Sequence, residues 1–136
     1  MTTRSLAAAV ASAVAVLAWA APAPARETIR VGAILAVTGP ASFLGAPEAR
    51  TLEMLVAALN AQGGADGRSV ELVLKDSGGS PEKAISFARQ LIEEQKVLAI
   101  IGPSTSGESI AVKPIAEEGA FEMLTVRNGA FAVLGR

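Results

Sequence analysis

Two short stretches hold the residues best able to do chemistry. Gly102-Pro103-Ser104-Thr105-Ser106-Gly107 sets three consecutive hydroxyls in front of a helical pattern. Thr38-Gly39-Pro40-Ala41-Ser42-Phe43-Leu44-Gly45 joins two hydroxyls to an aromatic and an aliphatic side chain. A hydroxyl-rich segment entering a helix offers side-chain donors, free backbone N–H groups and the positive end of the helix dipole, a set suited to an anion. Neither stretch contains Lys or Arg. A carboxylate held by neutral donors therefore fits better than a polyphosphate. Ser104, Thr105 and Ser106 are also ordinary capping types, so residue type alone leaves capping and binding both open. Phe43 and Leu44 have two readings as well, as walls of an apolar pocket or as cover for the end of a sheet.

Other chemistries fall away on composition. With no Cys there is no disulfide, thiolate nucleophile or Cys-based metal site. With no His there is no Ser-His-Asp triad and no imidazole ligand or base. Paired carboxylates remain the one formal route to hydrolysis, and no pair is evident. No metal and no cofactor is expected, and the chain is read as a binder rather than an enzyme. Gly102 to Ser109 matches the phosphate-loop pattern G-x-x-x-x-G-K-[ST] except that Glu108 stands where the lysine belongs, and a carboxylate there repels phosphate. A net charge of −1 and a 4% aromatic content give neither a basic face nor stacking platforms for nucleic acid. Asp76, ending a strand, reads as the start of a Gly-rich turn or as a group at the cleft edge, the turn being favoured. Glu93-Glu94 and Glu117-Glu118 read as solvated helix faces, with partner docking as the alternative.

The elements that must position these groups follow a β-α rhythm. Ile29 to Ala36 is an apolar run of strand length, which predicts a strand buried on both faces. A helix is expected over Ala46 to Gln62 with Pro47 in its first turn, Leu52, Leu55, Val56 and Leu59 as its apolar stripe, and Gly63-Gly64 as its stop. Ser69 to Lys75 alternates, as an outer strand does. Ser80 and Pro81 start a second helix that runs to about Gln95, with Ile85, Ala88, Leu91 and Ile92 on one face. Val97 to Ile101 is the third strand and should be central. A third helix is expected over Glu108 to Glu118 with Ile110, Ala111 and Ile115 inward and Pro114 disturbing it. Phe121 to Val126 suits a fourth strand. Residues 127–136 show no stripe, cap or clean alternation.

The implied fold class is α/β, a parallel sheet of order 2-1-3 with helices on both faces and strand 4, if formed, beside strand 3. Ligands of such sheets sit beyond the carboxyl ends of the strands where the order reverses, here between strands 1 and 3, where the two hydroxyl-bearing stretches meet.

Residues 1–25 are a separate segment, read as a signal peptide. They carry 11 of the 28 alanines and a single charge, Arg4. The uncharged run from Leu6 to Ala21 is about 16 residues, short of the ~20 that a spanning helix needs. Ala23-x-Ala25 fits a small-residue cleavage site, so export to a bacterial periplasm with the cut after Ala25 is expected, with no membrane insertion afterwards. Residues 26–126 then form the lobe and 127–136 a tail.

Thr28 to Glu118 resembles the N-terminal part of branched-chain amino-acid (Leu/Ile/Val) type periplasmic binding proteins of ABC transporters, of the type I periplasmic binding fold. The pieces that carry the resemblance are Ile29-Arg-Val-Gly-Ala-Ile-Leu35, Thr38-Gly39-Pro40, Gly45-x-Pro-Glu48, Leu59-Asn60-Ala-x-Gly63-Gly64 with Gly67-Arg68, and Leu72-Val-Leu-Lys-Asp76. Pro81-x-Lys-Ala84, Ile100-Ile-Gly102-Pro103 with Ser106-Gly107, and Pro114-Ile-Ala-Glu-Glu118 continue the pattern in order. The resemblance implies two lobes closing on an amino acid or small carboxylate and an ABC permease as partner. It assigns the ligand carboxylate to Ser106 and Gly107 with help from Ser104 or Thr105. Leu44, beside Phe43, takes the position over the ligand that is often aromatic in the family. Thr125-Val126-Arg127-Asn128-Gly129 departs from the family's next ligand loop, and such proteins are much longer. An incomplete N-lobe is the expectation, with a frameshift or early stop near Gly119–Thr125 as its origin, which DNA sequence downstream would test. A ligand-sensing receptor or regulatory domain of the same fold is the alternative function.

Overall fold

A computed structural model describes residues 27–119 in full and the backbone of two further strands over 121–126 and 130–135. The elements are β1 (Ile29–Leu35), α1 (Ser42–Ala61), β2 (Val70–Asp76), α2 (Pro81–Arg89), a π-helical turn over Gln90–Glu94, β3 (Ala99–Ile101), α3 (Ser106–Glu118), β4 (Phe121–Val126) and β5 (Ala130–Gly135). The signal segment and its cut after Ala25 lie outside the described residues.

One five-stranded sheet has the order β2-β1-β3-β5-β4. β1 runs parallel to β2 on one side, Ile29 opposite Val70, and parallel to β3 on the other, Val31 opposite Ala99. The expected 2-1-3 core with β2 at the edge and β3 central is present. The fourth strand forms over the expected residues but not beside β3. β5 lies there, antiparallel to both β3 and β4. The tail without clean alternation thus contains a strand, and the sheet is mixed. The sequence Phe131 to Leu134 is an apolar run, and Asn128-Gly129 just before it is a hairpin signal.

The pleat sorts the β1 and β3 side chains into two cores. Ile34 and Ile100 face α2 and α3 and pack with Ala84, Ala88, Leu91, Val97, Val112, Ile115 and Ala116. Ala33 and Leu35 face α1 and pack with Ala49, with Leu52, Leu72, Leu74 and Ile101 partly buried around them. Small residues let the helices approach closely. A Cβ on Gly45 would overlap the Ala36 peptide, so the first turn of α1 lies directly on the end of β1.

Four expectations shift in detail. α1 begins at Ser42 rather than Ala46, and Pro47 lies inside it. Its buried face is Gly45 and Ala49, while Leu55 of the expected stripe is 54% exposed, because small residues and not leucines permit the approach to the sheet. α3 begins at Ser106, and Ile110 points outward at 74% exposure while Val112 and Ala116 are buried. Pro114 sits within that helix without ending it.

Candidate functional site

Because β1 and β3 are parallel neighbours, their carboxyl ends deliver both hydroxyl-bearing stretches to the same edge of the sheet. The second stretch turns sharply out of β3. Gly102 has φ +100° and presses against the Ile34 carbonyl, a position where a Cβ would collide with backbone.

The three consecutive hydroxyls then take three different roles. Ser104 Oγ donates to Glu48 Oε2 at 2.6 Å and accepts the Ala36 N–H at 3.1 Å. One side chain thereby ties the loop to the end of β1 and to α1. Thr105 is the N-cap of α3: its Oγ1 accepts the Glu108 N–H at 3.3 Å and donates to Glu108 Oε2 at 2.6 Å. The hydroxyl protons of Ser104 and Thr105 are committed to carboxylates. Ser106 is exposed, and among the described residues its hydroxyl has no partner. Gly107 is exposed too, with open space around its Cα.

The backbone completes the set. Glu108 N–H goes to the cap and Ser109 N–H to the Thr105 carbonyl. The Ser106 and Gly107 N–H groups, first and second in the helix, have no intrahelical acceptor. A hydroxyl and two N–H groups without intrahelical acceptors stand at the positive end of a 13-residue helix, a type of donor set suited to an anion. Glu108, the residue that breaks the phosphate-loop pattern, is fully buried, and its Oε1 has no partner among the described residues.

Phe43 and Leu44 lie in the first turn of α1 at the same edge, 73% and 38% exposed. The structure thus places Leu44 and Phe43 on the neighbouring stretch, both open to solvent. Asp76 holds this stretch in place. Its carboxylate accepts the Thr38 N–H at 3.1 Å, the Thr38 hydroxyl at 2.7 Å and the Gly78 N–H at 3.0 Å. Desolvation pushes the Asp76 carboxyl upward, but the hydrogen bonds from Thr38, Gly78 and Val37 outweigh it and hold the group below its ordinary range. Asp76 thus starts the Ser77-Gly78 turn and also reaches Thr38 at the carboxyl edge of the sheet. Groups of three or more His, Cys, Asp or Glu that could hold a metal are absent among the described residues.

Two contributors escape a reading by residue type. Glu48 is one, since its partner Ser104 is 56 positions away. Glu108 is the other, although Thr105-x-x-Glu108 has the spacing of a capping box and was legible on that ground. Here the carboxylate takes the cap's hydroxyl proton rather than its backbone N–H.

The fold is a mixed α/β lobe with exposed hydroxyl and backbone donors at the switch point of its sheet. Comparison with known proteins makes this specific. Residues 28–124 match the family described as "Periplasmic binding protein", and the chain belongs to that family. A Leu/Ile/Val-binding protein homolog 7 of Brucella suis is 39% identical over 106 residues, covering 78% of this chain and 26% of the relative. The chemotactic signal transduction system substrate-binding protein BasB of Halobacterium salinarum is 32% identical over 111 residues, covering 80% of this chain and 27% of the relative. Among solved structures, the branched-chain amino acid transporter substrate-binding protein LivJ of Streptococcus pneumoniae, in complex with isoleucine, superposes with a TM-score of 0.66 at 32% identity, over 68% of this chain and 27% of LivJ. The chain spans about a quarter of the length of these relatives.

Proposed function

We propose that the chain supplies one wall of a site for a branched-chain amino acid or related small carboxylate, as the substrate-binding component of an ABC importer. The observation that carries this reading is the division of roles in the hydroxyl stretch. Ser104 and Thr105 are spent on positioning, and Ser106 with the N–H groups of Ser106 and Gly107 remains open to a carboxylate. Leu44 and Phe43 supply apolar surface for the ligand side chain from the adjoining stretch. The family match and the isoleucine bound to LivJ support the ligand class. An ABC permease is the partner, and the periplasm, reached through the segment ending at Ala25, is the location. Among the described residues no helix is long and apolar enough to cross a membrane. A second reading, ligand sensing for a receptor, is supported by the similarity to BasB.

One wall cannot enclose a ligand, so the chain alone should bind isoleucine weakly, with Kd of about 1 mM or above. The test is an amide NMR titration with roughly 10 mM isoleucine. The expected result is saturable movement of the Ser106 and Gly107 signals, abolished in Ser106→Ala. Movement confined to other residues, or none, would refute the site. Micromolar binding by the monomer would refute the claim that one wall is insufficient.

A further inference from the structure

The carboxyl edge of the sheet carries the wrong sign of charge for a simple anion site. Its segments, 36–49, 76–83 and 102–109, hold Glu48, Asp76, Glu82 and Glu108 against Lys83 alone. All four carboxylates accept a hydroxyl proton: Glu48 from Ser104, Asp76 from Thr38, Glu82 from Ser80 and Glu108 from Thr105. None of the four is in an ion pair among the described residues, where the pairs join Arg30 to Glu71, Arg89 to Glu93 and Glu118, and Lys113 to Glu117. A hydroxyl satisfies a carboxylate oxygen without cancelling its charge.

Glu108 stands closest to the open donors. Ser106, Gly107 and Glu108 are consecutive in the first turn of α3, which puts the Glu108 Cα about 5.5 Å from that of Ser106. Its side chain folds back over the helix terminus, where Oε2 takes the hydroxyl of the capping Thr105. It is fully buried, and its other oxygen has no partner among the described residues, so salt screens its charge little. The helix dipole supplies only about half a positive charge at this end. A full negative charge beside it more than cancels that. The donors of Ser106 and Gly107 therefore have a geometry that suits an anion inside a field that does not.

We propose that Glu108 is a specificity-determining residue of this site: its buried charge excludes ligands of net negative charge and admits a carboxylate whose own molecule carries a compensating ammonium. The inference rests on the reading of Ser106 and Gly107 as carboxylate donors. At about 7 Å and an effective dielectric of roughly 40, a unit charge weakens a monoanion about sevenfold and a dianion by the square of that, about fiftyfold. A zwitterion, whose two charges respond in opposite senses, should change by less than about threefold. The test uses the full chain and Glu108→Gln, which keeps an oxygen for the Thr105 hydroxyl and removes the charge. The Ser106 and Gly107 amides are followed by NMR at constant ionic strength during titration with sulfate, with the desamino analogue of isoleucine and with isoleucine. The variant should tighten these three by about fifty-, seven- and less than threefold. Glu108→Asp, which keeps the charge, should show no sulfate gain. No gain for sulfate in Glu108→Gln, or an equal gain for all three ligands, overturns the proposal. In the parent alone, sulfate moving the two amides at a lower concentration than isoleucine overturns it too, with no variant needed. Sulfate moving them in Glu108→Gln while isoleucine moves them in neither chain would refute the ligand reading and uphold the exclusion by Glu108.

Discussion

Ser104 and Ser106 are two residues apart and chemically identical, yet their truncation should have opposite consequences. Ser104→Ala removes the acceptor of the Ala36 N–H, and Ala36 is fully buried. A buried N–H left without an acceptor costs about 1–3 kcal/mol. The same change takes the donor from Glu48 Oε2, a short bond to a carboxylate, for roughly 1 kcal/mol more at this half-buried position. The total is about 2–4 kcal/mol, a large share of the ~5–15 kcal/mol that holds a typical domain. With a urea m-value of about 1–1.5 kcal/mol/M, the midpoint should fall by about 2 M. Ser106→Ala removes a hydroxyl with no partner among the described residues and should stay within about 0.5 kcal/mol of the parent. The assay is urea unfolding followed by far-ultraviolet circular dichroism, with Glu48→Gln and the double variant completing a cycle. A Ser104→Ala cost below about 0.5 kcal/mol, or equal costs at both positions, would refute the division of roles.

Asn60→Ala should destabilise the edge of the sheet by about 1–3 kcal/mol, because the Asn60 amide donates to the Val70 carbonyl and accepts the Val70 N–H, each at 2.8 Å; loss of amide protection at Val70 in hydrogen exchange would localise it. Asp76→Ala removes three hydrogen bonds and should cost about 1–3 kcal/mol near neutral pH. Because the native carboxyl titrates below its ordinary value of 3.8, its contribution is present above that value and lost as pH falls through the lower native one. The difference between parent and variant should therefore shrink in acid, as read by urea unfolding at a series of pH values; a difference that grows in acid would contradict the assignment. Gly45→Ala should cost about 1–3 kcal/mol or more by forcing α1 off the Ala36 peptide, and thermal unfolding within a degree of the parent would show that the approach is looser than described.

Periodicity located the elements well and their faces less well. The strands read from apolar runs are present, as is their order 2-1-3, since crossover handedness and helix-length connections leave few alternatives. Where the sequence misleads, size is the cause. The stripe of Leu52, Leu55, Val56 and Leu59 looks like the core face of α1. The sheet receives Gly45 and Ala49 with Leu52 partly buried beside them, and Leu55 is left exposed. Ile110 follows the same rule: the inward face of α3 is set by Val112, Ile115 and Ala116, and the largest apolar side chain of that turn is outside. β5 escaped although an apolar run and a preceding Asn-Gly pair were there to be read; its place beside β3 rather than at the edge comes from pairing with β3 and β4.

The site shows a sharper limit. Ser104, Thr105 and Ser106 form a hydroxyl triplet in which composition cannot say which member is free. What decides is where the carboxylates are. Thr105 is claimed by Glu108, three positions on, a relation that capping-box spacing could have exposed. Ser104 is claimed by Glu48 from another helix, and only the parallel pairing of β1 with β3 brings them together. Ser106 is left open by elimination. Glu48 and Glu108 thus do more than stabilise two turns: each withdraws a hydroxyl from the ligand edge and fixes the backbone that presents the third. A cationic side chain in their place would bind an anion more strongly but would also hold phosphate and sulfate. Neutral donors at a helix terminus suit a singly charged carboxylate, in keeping with the proposed function.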